Sequence, residues 1–459
     1  MSAQTTNATR FQRYLYRNYR SYSGTLYWIR RRLTGGGIIV LLGLVGTSVL
    51  GVDTNLSLAY QAFSLLFCLL FVALVGSRFS RANFTARREL PRFASVGKAV
   101  NYRVVVQNET KRPQRGVVLR EDLADPRPTL QEFVETPEPG ERERNWFDRT
   151  YAFYRWQWLV AKNRRGTVEE QACPALTPRG EAELKVELTP LRRGVLRFTG
   201  VTLACPDPFG LFRSLVTVPL ADSLLILPKR YPLAPLALPG TLKYQPGGVT
   251  LAAAVGESEE FVSLRDYRPG DPLRHVHWKS WAKTGKPIVK EFLDEFFVRH
   301  ALILDTFGDE AFSEVFEEAV SVAASFACSV QTQESLLDLM FVGPQAYCFT
   351  AGRGLAHTEQ MLEILASVNV CRERQFNSLV QLVIQHLDSV SGCICVLIAW
   401  DAQRQQFVQH LRLLGVPVLL LVLAEAGGAA QLKPGPMADC PENFHVLEVG
   451  KVGEGLARL

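Results

Sequence analysis

An acid and two imidazoles fall close together at Asp271, His275 and His277. A carboxylate beside two histidines is the material of general acid–base hydrolysis or of a zinc-type site. Hydrolysis of envelope precursors through these three residues is one reading. The spacing argues against a complete metal site, because two histidines with no further ligand spacing leave a four-coordinate ion short of donors.

The same residues belong to the densest polar and aromatic stretch of the chain, 256–291. Two other readings of it stay open. In a structural network, Arg265, Arg268 and Arg274 pair with Glu257, Glu260 and Asp271. In an exposed docking surface, the tryptophans and arginines act as binding hot spots. Pro269-Gly270 suits a tight turn, and Asp271 can bond back to nearby amides. His275, His277 and Lys279 alternate as on a strand, whereas Trp278 and Trp281 fall on opposite parities. Further along, Asp305 and Asp401 each close an apolar run.

The elements around those two acids alternate. Strands are expected at Ala301–Leu304, Leu336–Val342, Ala346–Thr350, Ile394–Trp400 and Val416–Val422. Helices are expected at Glu310–Val330, Glu359–Ser367, Phe376–Leu387 and Gln403–Leu414. This order predicts a doubly wound α/β sheet, in which ligands sit beyond the carboxyl ends of strands, where Asp305 and Asp401 fall. Cys393 and Cys395 would share one strand face. The nine cysteines contain no CxxC pair, so a reducing compartment fits better than a disulfide scaffold.

Before residue 240 the pattern differs. Short apolar runs at Tyr102–Val106, Gly116–Leu119, Trp156–Val160, Leu184–Leu188, Val195–Leu203 and Leu224–Leu227 read as strands. Polar turns separate them, which predicts an all-β, sandwich-like domain over 90–240. Asp207-Pro208-Phe209-Gly210-Leu211-Phe212 reads as a structural corner.

The N-terminus is basic and then apolar. Residues 1–33 hold seven arginines and no acid, although the net charge of the whole 459-residue chain is only +6. Leu33–Val52 and Thr54–Ser77 carry no charge, and each meets the roughly 20 residues needed to cross a bilayer. A transmembrane helical hairpin over 34–77 follows, behind a basic segment 1–33. Arginine precedes the first span (Arg30, Arg31, Arg32) and follows the second (Arg78, Arg81, Arg87, Arg88, Arg92), with only Asp53 at the bend. The positive-inside rule then puts both termini in the cytoplasm, as in a multi-pass plasma (inner) membrane protein. Tyr14, Tyr16, Tyr19, Tyr22, Tyr27 and Trp28 suit the headgroup zone, so the basic excess points to lipid and not to nucleic acid.

Taken together, Gly256-Glu257, Arg265-Asp266-Tyr267, Arg268, Pro269-Gly270-Asp271, Arg274, Trp278-Lys279, Ala282-Lys283 and Lys290-Glu291 resemble the signature of the bacterial "domain of unknown function 58" family. Arg193-Gly194, the Asp207–Phe212 motif and the hairpin match as well. The family usually has Arg where this chain has Lys283. The resemblance implies a von Willebrand factor A-like domain over 301–459, joined to the rest through a charged segment at 250–300. It also implies frequent genetic association with MoxR-type AAA+ ATPases, but no established activity. In a von Willebrand factor A domain, Mg²⁺ is held by an Asp-x-Ser-x-Ser loop, a distant Thr and a second Asp. Here Asp305 and Asp309 remain of the loop, Phe307 replaces the first serine, Asp401 resembles the second acid, and Thr358 is a loose match. Without metal, the same edge could still bind a protein. No Walker A loop, nucleophile elbow, HExxH helix or dinucleotide fingerprint occurs, which lowers the expectation of an enzyme. The expectation is therefore a membrane-anchored adaptor with protein partners.

Overall fold

The structure is a computed structural model that describes residues 8–50, 57–79, 82–233, 261–269, 273, 276–292, 298–308, 312–329, 335–351, 355–428 and 432–459. The chain divides into two compact units, Met1–Leu227 and Pro228–Leu459.

The first unit opens with three helices, α1 (Arg10–Arg32), α2 (Gly35–Leu50) and α3 (Ser57–Phe79). A reciprocal capping box between Thr9 and Gln12 starts α1, and Arg30, Arg31 and Arg32 end it, favourably placed against the helix dipole. Leu33 is extended, which separates α1 from α2. The span expected from Leu33 therefore starts late, and within the described residues α2 covers 16 residues. Among the described residues, the one helix long and apolar enough to cross a membrane is Leu58–Ser77 of α3. Asp53 and the bend lie outside the described residues.

Two sheets follow. One runs β1 (Phe84–Glu89), β3 (Val100–Asn108), β7 (Glu181–Pro190), β5 (Gly166–Val168). The other runs β2 (Phe93–Ser95), β9 (Arg213–Leu227), β8 (Gly194–Pro206), β4 (Val118–Leu123), β6 (Gln171–Ala172). Alternate side chains of both sheets meet in one core, with Val104 and Val186 from the first and Leu203 and Ile226 from the second wholly buried. At its edge Arg88 is buried in bidentate contact with Glu121 (3.1 and 2.5 Å), bonds Asp222 at 2.7 Å, and stacks on Phe198.

Trp156–Val160 is not a strand. It belongs to α6 (Phe153–Asn163), one of three helices with α4 (Leu130–Glu135) and α5 (Trp146–Tyr151) inserted between β4 and β5. Trp156 and Leu159 are three apart, so a helix puts both on the face that buries against Phe133. That cluster also takes in Tyr16 and Tyr19 of α1, whose hydroxyls donate to Pro128 and Tyr151 carbonyls. These two tyrosines are thus protein-packed and not free for a headgroup zone, while Tyr14, Tyr22, Tyr27 and Trp28 stay exposed.

The Asp207–Phe212 corner does more than turn the chain. The Asp207 carboxylate accepts the Phe212 and Phe209 amides at 2.8 and 3.2 Å, and Gly210 takes a positive φ. The shape so fixed pushes Leu211 and Phe212 against Leu33 of the α1–α2 junction and Leu70 and Ala73 of α3.

In the second unit, β10 (Phe261–Asp266) and β11 (Ile288–Phe292) form an antiparallel ribbon, with α7 (Trp278–Thr284) between them. The main sheet has the order β14 (Ala346–Ala351), β13 (Ser335–Val342), β12 (Val298–Leu304), β15 (Gly392–Leu397), β16 (Val418–Ala424), β17 (Phe444–Glu448). Only β14 is antiparallel to its neighbour. Helix α8 (Glu314–Ser329) is almost wholly buried and contacts α9 (Leu355–Ser367). Helices α10 (Asn377–His386) and α11 (Ala402–Leu413) pack with Ile303, Cys393 and Cys395, which confirms one shared face for those cysteines. A short α12 (Val452–Leu456) ends the unit. The sheet grows outward in both directions from β12, so the chain reverses between β12 and β15 and opens a crevice at their carboxyl ends.

Candidate functional site: the crevice at the sheet edge

The crevice is there, with a volume of about 920 Å³. Phe307, Phe316, Phe376 and Trp400 give it apolar walls, and Arg372, Arg374, Arg404, Asp401 and Glu425 give it charge. Next to Phe307 of the lining, the Thr306 hydroxyl donates to the Val342 carbonyl, and the Cys371 amide donates to the Thr306 carbonyl at 2.7 Å. The Trp400 indole N–H donates to the Lys433 carbonyl at 2.8 Å, which holds the ring in place.

Asp305 and Asp401 do come together here, but around a guanidinium. Arg404 donates from Nε to Asp305 Oδ2 at 2.6 Å, from one terminal nitrogen to Asp401, and from the other to the Phe307 carbonyl at 2.8 Å. Its plane lies over the Phe376 ring, 5.0 Å from the centroid. Asp401 also caps α11, accepting the Arg404 amide at 2.9 Å. Asp305 accepts the Phe307 and Ile398 amides. Burial pushes the Asp305 carboxyl above its ordinary value, with Arg404 and the two amides opposing.

A hard divalent ion needs six or more oxygens. The three oxygens that converge here already receive the guanidinium, and the Phe307 side chain packs edge-on to Phe376. Thr358 lies on α9, outside the lining of the crevice. Asp309 lies outside the described residues. Among the described residues, no three His, Cys, Asp or Glu side chains are placed to hold a metal. As the described residues stand, with both carboxylates and the Phe307 carbonyl bonded to Arg404, their donors do not fit Mg²⁺.

Sequence spacing missed Arg404. Its place three residues after a helix-capping Asp was a visible cue, but Asp305 stands 99 positions away, and only the parallel pairing of β12 with β15 brings it near.

The charged signature is a separate feature. Gly256, Glu257, Gly270, Asp271, Arg274 and His275 lie outside the described residues. Arg265 and Tyr267 are half-buried on or beside β10, where the Tyr267 amide donates to the Pro287 carbonyl at 3.0 Å. Arg268, Pro269, Lys279 and Lys283 are exposed. The strand-like alternation through Lys279 is broken by α7, so Trp278 and Trp281, three apart, stack at 5.2 Å instead of diverging. His277 Nδ1 pairs with the Ser280 hydroxyl at 2.6 Å at the start of that helix.

Residues 263–389 match the family described as "Protein of unknown function DUF58". The match takes in the ribbon, α7 and the first half of the α/β sheet. The uncharacterized protein YeaD of Bacillus subtilis strain 168 is similar, 28% identical over 187 residues, covering 40% of this chain and 45% of that protein. The chain thus spans about half the length of this curated relative. Among solved structures, the CARDB domain of a Pyrococcus furiosus protein is 15% identical, covering 32% of this chain and 91% of that one, with a TM-score of 0.18. A cohesin module of a Clostridium perfringens family 33 glycoside hydrolase is 11% identical, covering 32% and 98%, with a TM-score of 0.16. Scores this low carry no argument.

Proposed function

We propose that the protein is a membrane-anchored cytoplasmic adaptor. Helices α2 and α3 form a hairpin in the inner membrane with both termini in the cytoplasm, and the second unit, a von Willebrand factor A-like domain, docks protein partners. A MoxR-type AAA+ ATPase in envelope-related assembly is the leading candidate. The observation that carries this reading is α3, whose Leu65, Phe67, Phe71 and Val72 remain exposed although apolar, as lipid contact requires. Gly43 of α2 approaches Leu66 of α3 closely enough to support the paired arrangement. Docking is supported by the exposed Trp278, a residue type enriched among hot spots.

Affinity purification of the detergent-solubilised full chain, followed by mass spectrometry of bound proteins, tests the reading. Trp278→Ala and Arg268→Ala should each lower recovery of the ATPase at least tenfold with unchanged protein yield. Equal recovery with wild type and both variants, or no ATPase at all, would remove the proposed docking role.

A further inference from the structure

We infer that Arg404 is the built-in cation of the acidic pocket at the sheet edge, standing where a divalent ion would otherwise sit, so that this edge is assembled without metal. Three hard oxygens, from the Asp305 and Asp401 carboxylates and the Phe307 carbonyl, surround one guanidinium, which gives a different nitrogen to each. Asp305 is fully buried and the Arg404 side chain nearly so. A buried carboxylate left without a partner is costly, and arginine is the one side chain that cannot lose its charge. The aromatic face of Phe376 holds the guanidinium plane from one side, a support that a hydrated metal ion could not use. Because Arg404 sits on the first turn of α11 and Asp401 caps that same helix, the cation and one of its anions are delivered together.

The arrangement has a consequence for variants. Removing the guanidinium leaves three oxygen donors facing an empty position, which is an incipient site for a hard divalent or trivalent cation. Arg404→Gln should therefore acquire a cation response that wild type lacks.

The probe is Tb³⁺, whose luminescence is sensitised by a nearby indole, here Trp400, next to Asp401 in the chain. It is read on the detergent-solubilised full chain, with melting midpoints in Mg²⁺ against KCl of equal ionic strength as a second readout. Wild type should show no sensitised emission that Asp401→Asn removes, and no Mg²⁺-dependent shift. Arg404→Gln should melt lower, rise by several degrees in millimolar Mg²⁺, and give sensitised emission that a further Asp401→Asn abolishes. An Arg404→Gln variant that folds only with Mg²⁺ present supports the inference equally. Arg404→Met/Asp305→Asn removes both charges and should fold with no cation response. Asp401-dependent cation binding in wild type would overturn the inference. So would an Arg404→Gln variant that stays blind to cations, folded or unfolded, while the double variant folds.

Discussion

The Thr34 amide donates to the Leu211 carbonyl at 3.1 Å, and its hydroxyl donates to the Gly210 carbonyl at 2.6 Å. One residue thus ties the start of α2 to the corner between β8 and β9. Gly37, one turn on, faces the same Leu211 carbonyl so closely that a β-carbon would collide with backbone. Gly37→Ala should destabilise the first unit by about 1–3 kcal/mol, the range for overpacking a close contact. Gly36→Ala, which meets only ordinary contacts, should be nearly silent. Melting of the two solubilised variants makes the comparison, and equal midpoints would show that the corner does not clamp the helix.

Arg88 and Glu121 are both wholly buried. Arg88→Met leaves the Glu121 carboxylate without its partner and should cost about 3–5 kcal/mol. Arg88→Met/Glu121→Leu replaces the pair with apolar groups and should recover most of that loss. Urea unfolding of the single and double variants measures the recovery. A double variant no better than the single one would mean that the ion pair itself, and not the orphaned charge, sets the stability.

His300 of β12 is buried with no hydrogen-bond partner for Nδ1, and burial holds its pKa below the ordinary 6.5. His445 of β17 is also held low by burial, which a hydrogen bond with Glu442 partly offsets. As the pH falls through 6.5, the unfolded chain takes up protons that the folded chain refuses. The stability is present above that pH and lost below it, by at most ~1.4 kcal/mol per pH unit per histidine. His300→Leu should flatten the fall in melting midpoint of the second unit between pH 7.5 and 5.5, both of which are about one unit from the ordinary value. An unchanged slope would assign the acid sensitivity elsewhere.

The proposed membrane span of α3 predicts that charge there is costly, about 2.5–3.5 kcal/mol per arginine near mid-span. Leu65→Arg/Phe67→Arg should move the protein from the alkaline-carbonate pellet into the supernatant. Continued retention of the double variant in the pellet would exclude α3 as the anchor.

Local chemistry was legible from sequence alone where one face or one charge pattern decided the outcome. The apolar runs gave α3 and the strands β12, β13, β15 and β16, because burial on both faces of a parallel sheet demands continuous hydrophobic residues. The alternating runs gave most strands of the two-sheet core, since period two is the only pattern that buries one face of a strand. Trp156–Val160 escaped this reading because a five-residue stretch with four apolar or aromatic residues fits either element, and only Phe133, Tyr16 and Tyr19 across the gap choose the helix.

The tertiary structure decided what distant residues do to one another. Asp305 and Asp401 look like metal ligands while their neighbours in space are unknown. Parallel pairing of β12 with β15 sets them around Arg404, and a fixed positive charge then occupies the oxygens an ion would need. The Asp207–Phe212 turn is a corner in sequence and a clamp in space for the same reason. Its shape is local, set by Asp207 hydrogen bonds, but its partners Leu33, Leu70 and Ala73 come from helices more than a hundred residues earlier, and only chain folding brings their apolar surfaces into contact.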